Sequence, residues 1–472
     1  MMKFGGTSVG SVEALQNVVQ ILRRQREQGH DVVAVVSAMN GVTDALLKAA
    51  YCSAEGDESI VHQTRSSIET RHAGALRHFL GETPQRAGVM AEIAGFLDEF
   101  ETLCHSIRVL GELTPRAQDV IGGLGERLSA RQVAAILRAR GVAAVPVDAT
   151  QLIVTDEQYG AAKPLIEETG QQTSAVLTPL LRQGQTVVVT GFIGATRQGI
   201  PTTLGRGGSD YSATILGRAL QADEIWVWTD VNGVMTADPR VVPTAHSIPH
   251  LSYVEVGEMA YFGAKVLHPQ AIRPARQMDI PVRILNTFAP DHPGTLITRD
   301  AVDDEHPVKA ITAIKDLSLV TIGGSGMMGI PGVAGRTFSA VARTGTSVLM
   351  ISQASSEQSI CFVVPTANVP QVIAALEAEM DRELARRDIE RIDTQDKVVI
   401  LAVVGAGMKG TPGISGRVFG ALGQKRLNVI AIAQGSSEFN ISLVVTQDDA
   451  NQALQAIHDE FKMESQFKTD GL

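Results

Sequence analysis

The stretch that decides the fold stands at the beginning of the chain, Met1-Met2-Lys3-Phe4-Gly5-Gly6-Thr7-Ser8. Glycine lets a backbone approach a ligand closely, and the single lysine adds a compact positive charge. A helical pattern follows from about Ser11 to Arg26, and the N-terminus of a helix favours anions. The stretch therefore predicts a strand, a phosphate-binding loop and a helix. In isolation, a glycine turn beside a solvated lysine would show the same pattern.

Strand-like and helical patterns alternate as far as residue 298. Apolar runs at 31–36, 186–190 and 224–228 each end in polar or glycine-rich residues. This order predicts an α/β fold in which helices cover both faces of a mostly parallel sheet, a three-layer αβα sandwich. Ligands bind at the carboxyl ends of the strands in such folds, so we expect these loops to share one site. Residues 55–120 have a helical pattern and form a predicted insertion.

Composition excludes several classes of protein. A net charge of −10 argues against a generic nucleic-acid binder. Three cysteines without a CxxC motif argue against a disulfide framework or a cysteine-based zinc site, and no His or Cys cluster has metal-ligand spacing. We expect no metal ligands from the protein. No signal-peptide pattern and no apolar run of the roughly 18 residues needed for a membrane span is present, so we expect a cytoplasmic protein without a membrane partner.

The last third of the chain contains an internal repeat. Residues 326–338 recur at 407–419 and residues 351–357 at 432–438, so both copies are displaced by 81 residues. A constant displacement across two motifs indicates two copies of one supersecondary unit. Each copy reads as strand, glycine-rich loop, helix, two strands and helix, which are the first five elements of a ferredoxin-like βαββαβ unit. Both also contain GxGxxG, but a unit of about 80 residues has no room for a full dinucleotide-binding domain.

These boundaries predict three domains: an α/β domain at 1–298, a first repeat unit at 307–391 and a second at 396–472. The second unit lacks a closing strand after its last helix. A strand-like segment, 308–315, precedes the first unit. We predict that this segment completes the sheet of the second unit, so that the first unit is inserted within the second.

Charged residues in glycine-rich turns are candidates for substrate binding. Arg206 stands in Gly205-Arg206-Gly-Gly-Ser209-Asp210, ahead of a predicted helix over Ser212–Leu220, and its guanidinium is suited to clamp a carboxylate. Glu126 opens a predicted helix and is either a counter-ion for a substrate ammonium or a surface acid that complements the helix dipole. Lys265 is either a second cation of the site or a solvated lysine.

Taken together, the motifs resemble aspartate kinase, of the amino-acid kinase superfamily, over essentially the whole chain. The motifs occur in the family order, and the two repeats resemble its paired ACT regulatory domains. The segments that carry the resemblance are Lys3–Ser8, Gly125–Ser129, Gly205–Asp210, Trp228–Asp230, Asp238–Arg240 and Phe262–Lys265. Met235 departs from the family pattern, which usually has an aromatic residue there.

The resemblance implies a reaction in which ATP and L-aspartate give ADP and 4-phospho-L-aspartate, the entry to lysine, threonine, methionine and isoleucine synthesis. It implies Mg²⁺ with the ATP, and a homodimer or higher homo-oligomer joined through the ACT units. The implied catalytic residues are Lys3, Asp210 and Lys265. The implied aspartate-binding residues are Ser37, Thr43, Glu126, Phe192, Arg206 and Ser209. The implied nucleotide-binding residues are Lys3, Gly5, Gly6, Ser8, Thr229, Asp230, Met235, Asp238, Arg240 and Lys265.

The resemblance also implies feedback inhibition by an end-product amino acid. Gln353 and Gln434 each stand at the end of a strand before Ser-Ser-Glu, a pattern similar to that of threonine-sensitive kinases. A glutamine amide can both donate to and accept from a hydroxyl amino acid. We therefore expect threonine rather than lysine as effector, with Met327, Gln353 and Gln434 in the effector sites. The alternative is that Gln-Ser-Ser-Glu merely ends a strand.

Other functions stay open at this point. An acetylglutamate or glutamate 5-kinase would share the fold but not Glu126, Arg206 and the ACT pair together. A non-enzymatic amino-acid sensor is disfavoured by the presence of Lys3, Asp210 and Lys265. A bifunctional kinase–dehydrogenase is not expected, because no dehydrogenase domain follows the repeats before Leu472.

Overall fold

The computed structural model describes residues 1–264, 267–300, 306–354 and 358–463. The chain divides into two units. The first comprises Met1–Val234, Pro249–Tyr253 and Val266–Ala301, and the second Met235–Ile248, Val254–Lys265 and Val302–Leu472. The division differs from the predicted boundary near residue 300, because two segments from the middle of the chain belong with the C-terminal repeats.

The first unit alternates strands and helices. Its elements, in chain order, are β1 Met2–Phe4, α1 Val12–Glu27, β2 Val33–Val36, α2 Val42–Ala54, α3 Ser59–Leu80, α4 Pro84–Leu110, α5 Pro115–Gly122, α6 Leu124–Ala139, β3 Ala144–Val147, β4 Val154–Thr155, α7 Ile166–Arg182, β5 Thr186–Thr190, β6 Ile193–Thr196, β7 Pro201–Thr203, α8 Gly208–Ala219, β8 Ile225–Thr229, β9 His250–Ser252, α9 Tyr253–Tyr261, α10 Pro269–Met278, β10 Val282–Asn286 and β11 Thr295–Thr298. From Val254 onward, α9 belongs to the second unit.

The main sheet has the order β3-β5-β2-β1-β8-β10-β11-β9, and its neighbours are parallel except β10 and β11. The α/β fold class with a mostly parallel sheet is therefore confirmed. Every residue of β2 is buried, as expected for a parallel strand covered on both faces. A smaller sheet joins β4, β6 and β7. Helices α2 to α5 form the insertion, and α3 and α4 pack through a stripe of buried apolar residues.

The second unit contains the repeats. Its further elements are β12 Ala310–Gly323, α11 Val333–Arg343, β13 Met350–Gln353, β14 Ser359–Pro365, α12 Val369–Glu379, α13 Asp381–Arg386, β15 Arg391–Val404, α14 Ile414–Gln424, β16 Ala431–Ala433, β17 Asn440–Thr446 and α15 Ala450–Glu460. One sheet runs β13-β14-β12-β15-β17-β16.

The two long strands β12 and β15 exchange halves between the repeats. They pair antiparallel from Ala310 opposite Val404 to Gly323 opposite Arg391, with register shifts between Ile314 and Leu319. Residues 310–314 thus lie beside 400–404, the opening strand of the second repeat, and residues 391–395 lie beside the opening strand of the first. Residues 310–314 of the segment 308–315 therefore join the sheet of the second repeat beside its opening strand.

Close backbone approach explains the glycines of the two GxGxxG motifs. A Cβ at Gly324 would lie 2.2 Å from the carbonyl oxygen of Asp388, and one at Gly405 would lie 2.1 Å from that of Pro307. Both neighbours stand just before the exchanged strand segments. The glycines therefore pack one part of each repeat against another, and no phosphate is needed to account for them.

Segments 235–248 and 254–265 are built into the second repeat. The Thr236 carbonyl accepts a hydrogen bond from Ile311 N at 2.8 Å, and its hydroxyl lies 3.1 Å from His458 Nε2 of α15. Ala237 and Val242 share an apolar cluster with side chains of β12, β15, β17 and α15. These contacts explain why segment 235–248 belongs to the second unit.

Candidate functional site

The carboxyl ends of neighbouring parallel strands bring the predicted residues of the first unit together. β5, β2, β1 and β8 are consecutive in the sheet and run in the same direction. The loop after β1 is tied to its neighbours by hydrogen bonds from Gly5 N to Trp228 O and from Asn40 N to Gly6 O. The loops predicted to form one site are therefore adjacent.

Glycine is required in the loop after β1. A Cβ at Gly6 would lie 2.9 Å from the carbonyl oxygen of Ala38, and one at Gly5 would lie 3.5 Å from Lys3 Nζ. The loop can thus pass close to both the β2 loop and the lysine. Ser8 differs from the prediction in one respect, because it is fully buried and its hydroxyl lies 2.7 Å from that of Thr287. In this structure the Ser8 side chain anchors the loop.

Lys3 forms an ion pair with Asp210, with 2.7 Å between Nζ and Oδ1. The two side chains are 11% and 15% exposed, so solvent screens the pair only in part. Lys3 stands in the middle strand between β2 and β8, and Asp210 stands in the first turn of α8. The pair holds the ammonium group at the entrance of the glycine loop.

The turn before α8 exposes Arg206. Gly205 and Gly207 have φ angles of 75° and 72°, which a residue with a side chain adopts only at a cost. Arg206 is exposed and forms no ion pair or hydrogen bond with the residues that the structure describes. The predicted start of the helix at Ser212 is wrong: α8 begins at Gly208, so Ser209 and Asp210 lie in its first turn.

Phe192 takes a left-handed backbone conformation with φ of 68° directly after β5 and Gly191. Its N–H donates to Ser212 Oγ at 3.0 Å, and its carbonyl accepts from Leu204 N at 2.9 Å. A Cβ at Gly208 would lie 2.6 Å from the Phe192 ring. A non-glycine residue at positive φ is uncommon and costs energy, which is typical of functional sites. The conformation supports the prediction that Phe192 lines a binding site.

Glu126 is a buried carboxylate that forms no ion pair with the residues that the structure describes. It lies in the first turn of α6 and is 4% exposed. Its Oε1 accepts a hydrogen bond from Ala38 N at 3.1 Å, whereas Oε2 is buried and has no hydrogen-bond partner among the described residues. Burial raises the pKa of Glu126 from 4.5 to about 7, against the smaller opposite effect of the Ala38 N–H. Such an oxygen is costly unless a ligand pairs with it.

Ser37, in the loop after β2, and Thr43, in the first turn of α2, lie near this carboxylate. Ser37 N donates to Phe4 O at 3.0 Å, which ties the loop to β1. A Cβ at Gly125 would lie 2.7 Å from the Ala38 Cβ and 3.6 Å from the Thr43 hydroxyl, so glycine lets the start of α6 approach the loop. The predicted aspartate-binding residues Ser37, Thr43 and Glu126 are thus neighbours.

The predicted nucleotide loop falls in both units. In the first unit, Thr229 ends β8 and its hydroxyl lies 3.2 Å from the carboxylate of the exposed Asp230. In the second unit, Arg240 donates to Asp238 at 2.7 Å, and this hydrogen bond lowers the pKa of Asp238. Met235, also in the second unit, forms an isolated antiparallel β-bridge with Ser247. Lys265 lies outside the described residues, so its catalytic role remains a prediction.

Sequence reasoning missed Asp119, which accepts hydrogen bonds from the strand that leads into the turn of Arg206. Asp119 is 2% exposed and accepts hydrogen bonds from Thr203 Oγ1 at 2.6 Å, from Thr203 N at 2.9 Å and from Gly160 N at 2.9 Å. Thr203 ends β7, three residues before Arg206. No motif marks Asp119 in the sequence, because its partners are distant in the chain. His268, by contrast, caps α10 beside Gly207, in agreement with a structural role.

Each repeat has a pocket lined by its predicted effector residue. A cavity of about 350 Å³ in the first repeat is lined by Met327, Ile330, Val333, Gln353 and Ile360, among others. A cavity of about 140 Å³ in the second repeat includes Met408, Thr411, Ser415, Gln434 and Glu438 in its lining. The motif residues 355–357 lie outside the described part of the chain. Equivalent elements thus form a larger, more apolar pocket and a smaller, more polar one.

The site holds three charges in different states. Lys3 is paired with an acid, Glu126 forms no ion pair within the described part of the chain, and Arg206 is exposed. This arrangement can stabilise a phosphate with the lysine, an ammonium with the glutamate and a carboxylate with the arginine. No group of three His, Cys, Asp or Glu among the described residues could hold a metal ion. None of the described helices is long and apolar enough to cross a membrane.

Comparison with known proteins agrees with this fold. Residues 1–286 match the model of the amino acid kinase family, and residues 320–380 and 401–461 match that of the ACT domain. The chain therefore belongs to the amino acid kinase family. The bifunctional aspartokinase/homoserine dehydrogenase 1 of Arabidopsis thaliana chloroplasts is 37% identical over 473 residues, which cover 97% of this chain. The chain spans about half the length of such bifunctional relatives, 50% in this case.

Among solved structures, aspartokinase III of E. coli in complex with aspartate and ADP matches with a TM-score of 0.80 and 30% identity, over 97% of this chain and 98% of that chain. The same enzyme in complex with lysine and aspartate matches with a TM-score of 0.76 and 29% identity, over 98% of each chain. Within the family, the chain is thus similar to aspartokinases in sequence and in fold.

Proposed function

We propose that this chain transfers a phosphoryl group from ATP to the side-chain carboxylate of L-aspartate, giving 4-phospho-L-aspartate and ADP. The observation that carries the proposal is the buried, unpartnered Oε2 of Glu126. It fits an ammonium group, and the exposed Arg206 fits an α-carboxylate. The aspartokinase relative solved with aspartate and ADP supports the same choice of substrates.

The proposed chemistry needs no general base. An aspartate side chain has a pKa of about 4 and is ionised at neutral pH, so it is already a nucleophile. Phosphoryl transfer then depends on positioning and on neutralising the charge of the transferred group. Lys3, fixed by Asp210 at 2.7 Å, would stabilise that charge. Lys265 would be the second cation.

The glycine loop after β1 is proposed to bind the phosphates of ATP, because it lies beside the Lys3 ammonium group and leads to the N-terminus of α1. Thr229, Asp230, Met235, Asp238 and Arg240 are the proposed contacts on the nucleoside side. Mg²⁺ is proposed to enter with the nucleotide, because it prefers phosphate oxygens and usually keeps several waters. When bound, Mg²⁺ would neutralise phosphate charge.

The test is ADP release by the purified chain with ATP, Mg²⁺ and each of three acceptors: aspartate, glutamate and N-acetylglutamate. We expect turnover with aspartate and at most traces with the other two. A preference for N-acetylglutamate would contradict the proposal, since acetylation removes the charge that Glu126 is proposed to bind. Formation of the acyl phosphate is checked by trapping with hydroxylamine, which separates acceptor-dependent transfer from ATP hydrolysis.

We further propose that threonine inhibits the enzyme through the ACT repeats, as expected for the first step of lysine, threonine, methionine and isoleucine synthesis. Gln353 and Gln434 line equivalent pockets and can both donate to and accept from a hydroxyl group. Inhibition would follow from tighter threonine binding to an inactive arrangement. Lysine is the competing candidate, because the E. coli neighbour was solved with lysine.

A homodimer is proposed to form through the sheet edges of the repeats. β13 and β16 end the sheet, and equivalent residues on them, Ile351 and Ile432, are 49% and 44% exposed. Pairing with a second copy would cover these edges.

The ADP-release assay repeated with threonine, lysine and both tests the effector. Strong inhibition by lysine with no effect of threonine would refute the threonine assignment and leave the kinase proposal intact.

A further inference from the structure

The two repeats cap the same turn in different ways. In the first repeat, the turn at Ser325–Met327 lines the pocket through Met327. Glu390 Oε1 accepts hydrogen bonds from Ser325 N at 3.2 Å and from Ser325 Oγ at 2.7 Å. Glu390 is exposed and directly precedes the exchanged segment of β15. The first repeat thus caps its turn with a carboxylate of its own strand.

In the second repeat, a displacement of 81 residues relates Ser325 to Ala406 and Glu390 to Lys309. The backbone is equivalent, since Glu390 N donates to Gly323 O at 2.9 Å and Lys309 N donates to Val404 O at 2.8 Å. A lysine cannot accept a hydrogen bond, so it cannot replace the carboxylate of Glu390. The charge at this position is therefore reversed between the repeats.

The carboxylate that caps the second turn comes from α9. Glu255 Oε1 accepts a hydrogen bond from Ala406 N at 2.8 Å and lies 3.5 Å from Lys309 Nζ. Both side chains are buried, with exposures of 0% for Glu255 and 2% for Lys309. One turn further along α9, Glu258 accepts a hydrogen bond from Asn440 at the start of β17. A helix from the middle of the chain therefore completes the second repeat.

This difference affects how a bound effector could act. Met408, in the capped turn, lines the second pocket. If a ligand displaces the turn, Glu255 must follow it or the Ala406 N–H loses its buried carboxylate acceptor, which is costly. In the first repeat, the exposed Glu390 can follow its turn at little cost. Residues 254–265 end at Lys265, the predicted second cation, four residues after the end of α9.

We propose that Glu255 is a positioning residue that transmits occupancy of the second ACT pocket to the segment carrying Lys265, whereas the equivalent turn of the first repeat has no such connection through Glu390. The inference rests on the proposed inhibition through the ACT repeats. It assigns the two pockets different roles, with the second pocket acting on turnover through α9. The first repeat has a weaker contact with α9, between Tyr261 Oη and Leu349 O at 3.5 Å.

The test compares inhibition and binding in matched variants of the full chain. Glu255→Met with Lys309→Met removes both buried charges together, so that neither is left unpaired. Glu390→Met is the control in the first repeat, and Tyr261→Phe is the control for the weaker contact. Asn440→Ser introduces the residue that the first repeat carries at the equivalent position, Ser359, and leaves the buried pair intact. Asn440→Ser tests the proposal if the double variant fails to fold.

The readouts are the threonine and lysine concentrations that halve ADP release, the kcat without effector, and effector binding by calorimetry. We expect the double variant to need about tenfold more of the inhibiting amino acid, within the usual span of allosteric couplings. Its kcat and effector affinity should stay within about threefold of the parent values, because the connection is lost and the pocket is kept. Asn440→Ser should shift inhibition in the same direction by a smaller factor, and Glu390→Met and Tyr261→Phe should not shift it.

Three results would overturn the proposal. The first is inhibition of the double variant at the same effector concentration as the parent. If the double variant does not fold, the same result with Asn440→Ser counts instead. Glu390→Met or Tyr261→Phe could desensitise the enzyme equally. Effector binding could weaken in parallel with inhibition, which would make Glu255 a part of the pocket. If the folded parent turns over aspartate but neither amino acid inhibits it, the effector proposal fails together with this one. If it does not turn over aspartate at all, the kinase proposal fails, and the ADP-release assay separates these cases.

Discussion

Asp210 and Glu126 are both acids in the first turn of a helix at the candidate site, but only one of them forms an ion pair with the residues that the structure describes. Asp210 lies 2.7 Å from the ammonium group of Lys3. Glu126 has one backbone hydrogen bond, and burial raises its pKa to about 7. The difference indicates that Lys3 is held in place by its acid, whereas the buried Glu126 carboxylate is left to pair with the ammonium group that we propose it binds.

The largest expected effect comes from removing the Lys3 ammonium group. Lys3→Ala should lower kcat by about a hundredfold or more, because it removes the cation proposed to stabilise the transferred phosphoryl group. Circular dichroism and the melting temperature should show an intact fold, and steady-state ADP release gives kcat. Retention of more than roughly a tenth of the parental kcat would contradict the role of Lys3.

Removing the exposed guanidinium tests the substrate side. Arg206→Ala should raise the KM for aspartate by about tenfold or more and leave the KM for ATP within about threefold, since a lost charge-assisted contact costs about 1.5–3 kcal/mol. Arg206→Lys is the control and should recover only part of the affinity, because lysine cannot form a bidentate pair. Equal increases in both KM values would show that Arg206 shapes the loop and does not hold the substrate.

The stability of the free enzyme tests the unpaired acid. The pKa of Glu126 is higher in the folded chain than in the unfolded chain, so its contribution to stability is present below about pH 4.5 and is lost as the pH rises through about 7. Glu126→Gln should therefore be more stable than the parent at about pH 8, by an amount on the order of 2–3 kcal/mol, and the difference should vanish toward pH 4.5. Urea unfolding of both proteins at a series of pH values measures the difference in their free energies of unfolding.

An effect of comparable size, in the acid range, is expected from a buried histidine in the helical insertion. His72 lies 2.6 Å from Gln132 of α6, and burial lowers its pKa from 6.5 to about 4. Because the unfolded chain binds this proton more readily, stability should fall as the pH drops from about 6.5 toward 4, by at most about 1.4 kcal/mol per pH unit. His72→Gln should lack this part of the pH dependence. An unchanged profile would mean that His72 is not buried in its neutral form.

Much of the fold could be predicted because its signals are local. Apolar β-branched runs predicted β2, β5 and β8, and their polar ends predicted one shared edge. The repeat displacement of 81 residues, together with the missing last strand, predicted the exchange of 308–315. The start of α8 was missed because Gly207 and Gly208 have low helix propensity, yet their lack of side chains leaves room for His268 and Phe192.

Features that depend on distant partners could not be predicted. Asp119 is held by Thr203 and Gly160, and segment 235–248 packs on β12 and α15. Neither has a local pattern, because the partners are brought together only by tertiary packing. The resemblance supplied Glu126 as an ammonium partner, but only the structure shows that one of its oxygens is buried without a hydrogen-bond partner.

The central claim, that Glu126 binds the substrate ammonium, is tested most directly by comparing aspartate with succinate, which lacks the amino group. Calorimetry with the parent and with Glu126→Gln, in the presence of an ATP analogue, gives four dissociation constants. We predict that the parent binds aspartate at least about tenfold more tightly than succinate, as expected for a charge-assisted hydrogen bond, and that Glu126→Gln removes most of this preference. An equal preference in both proteins would contradict the account.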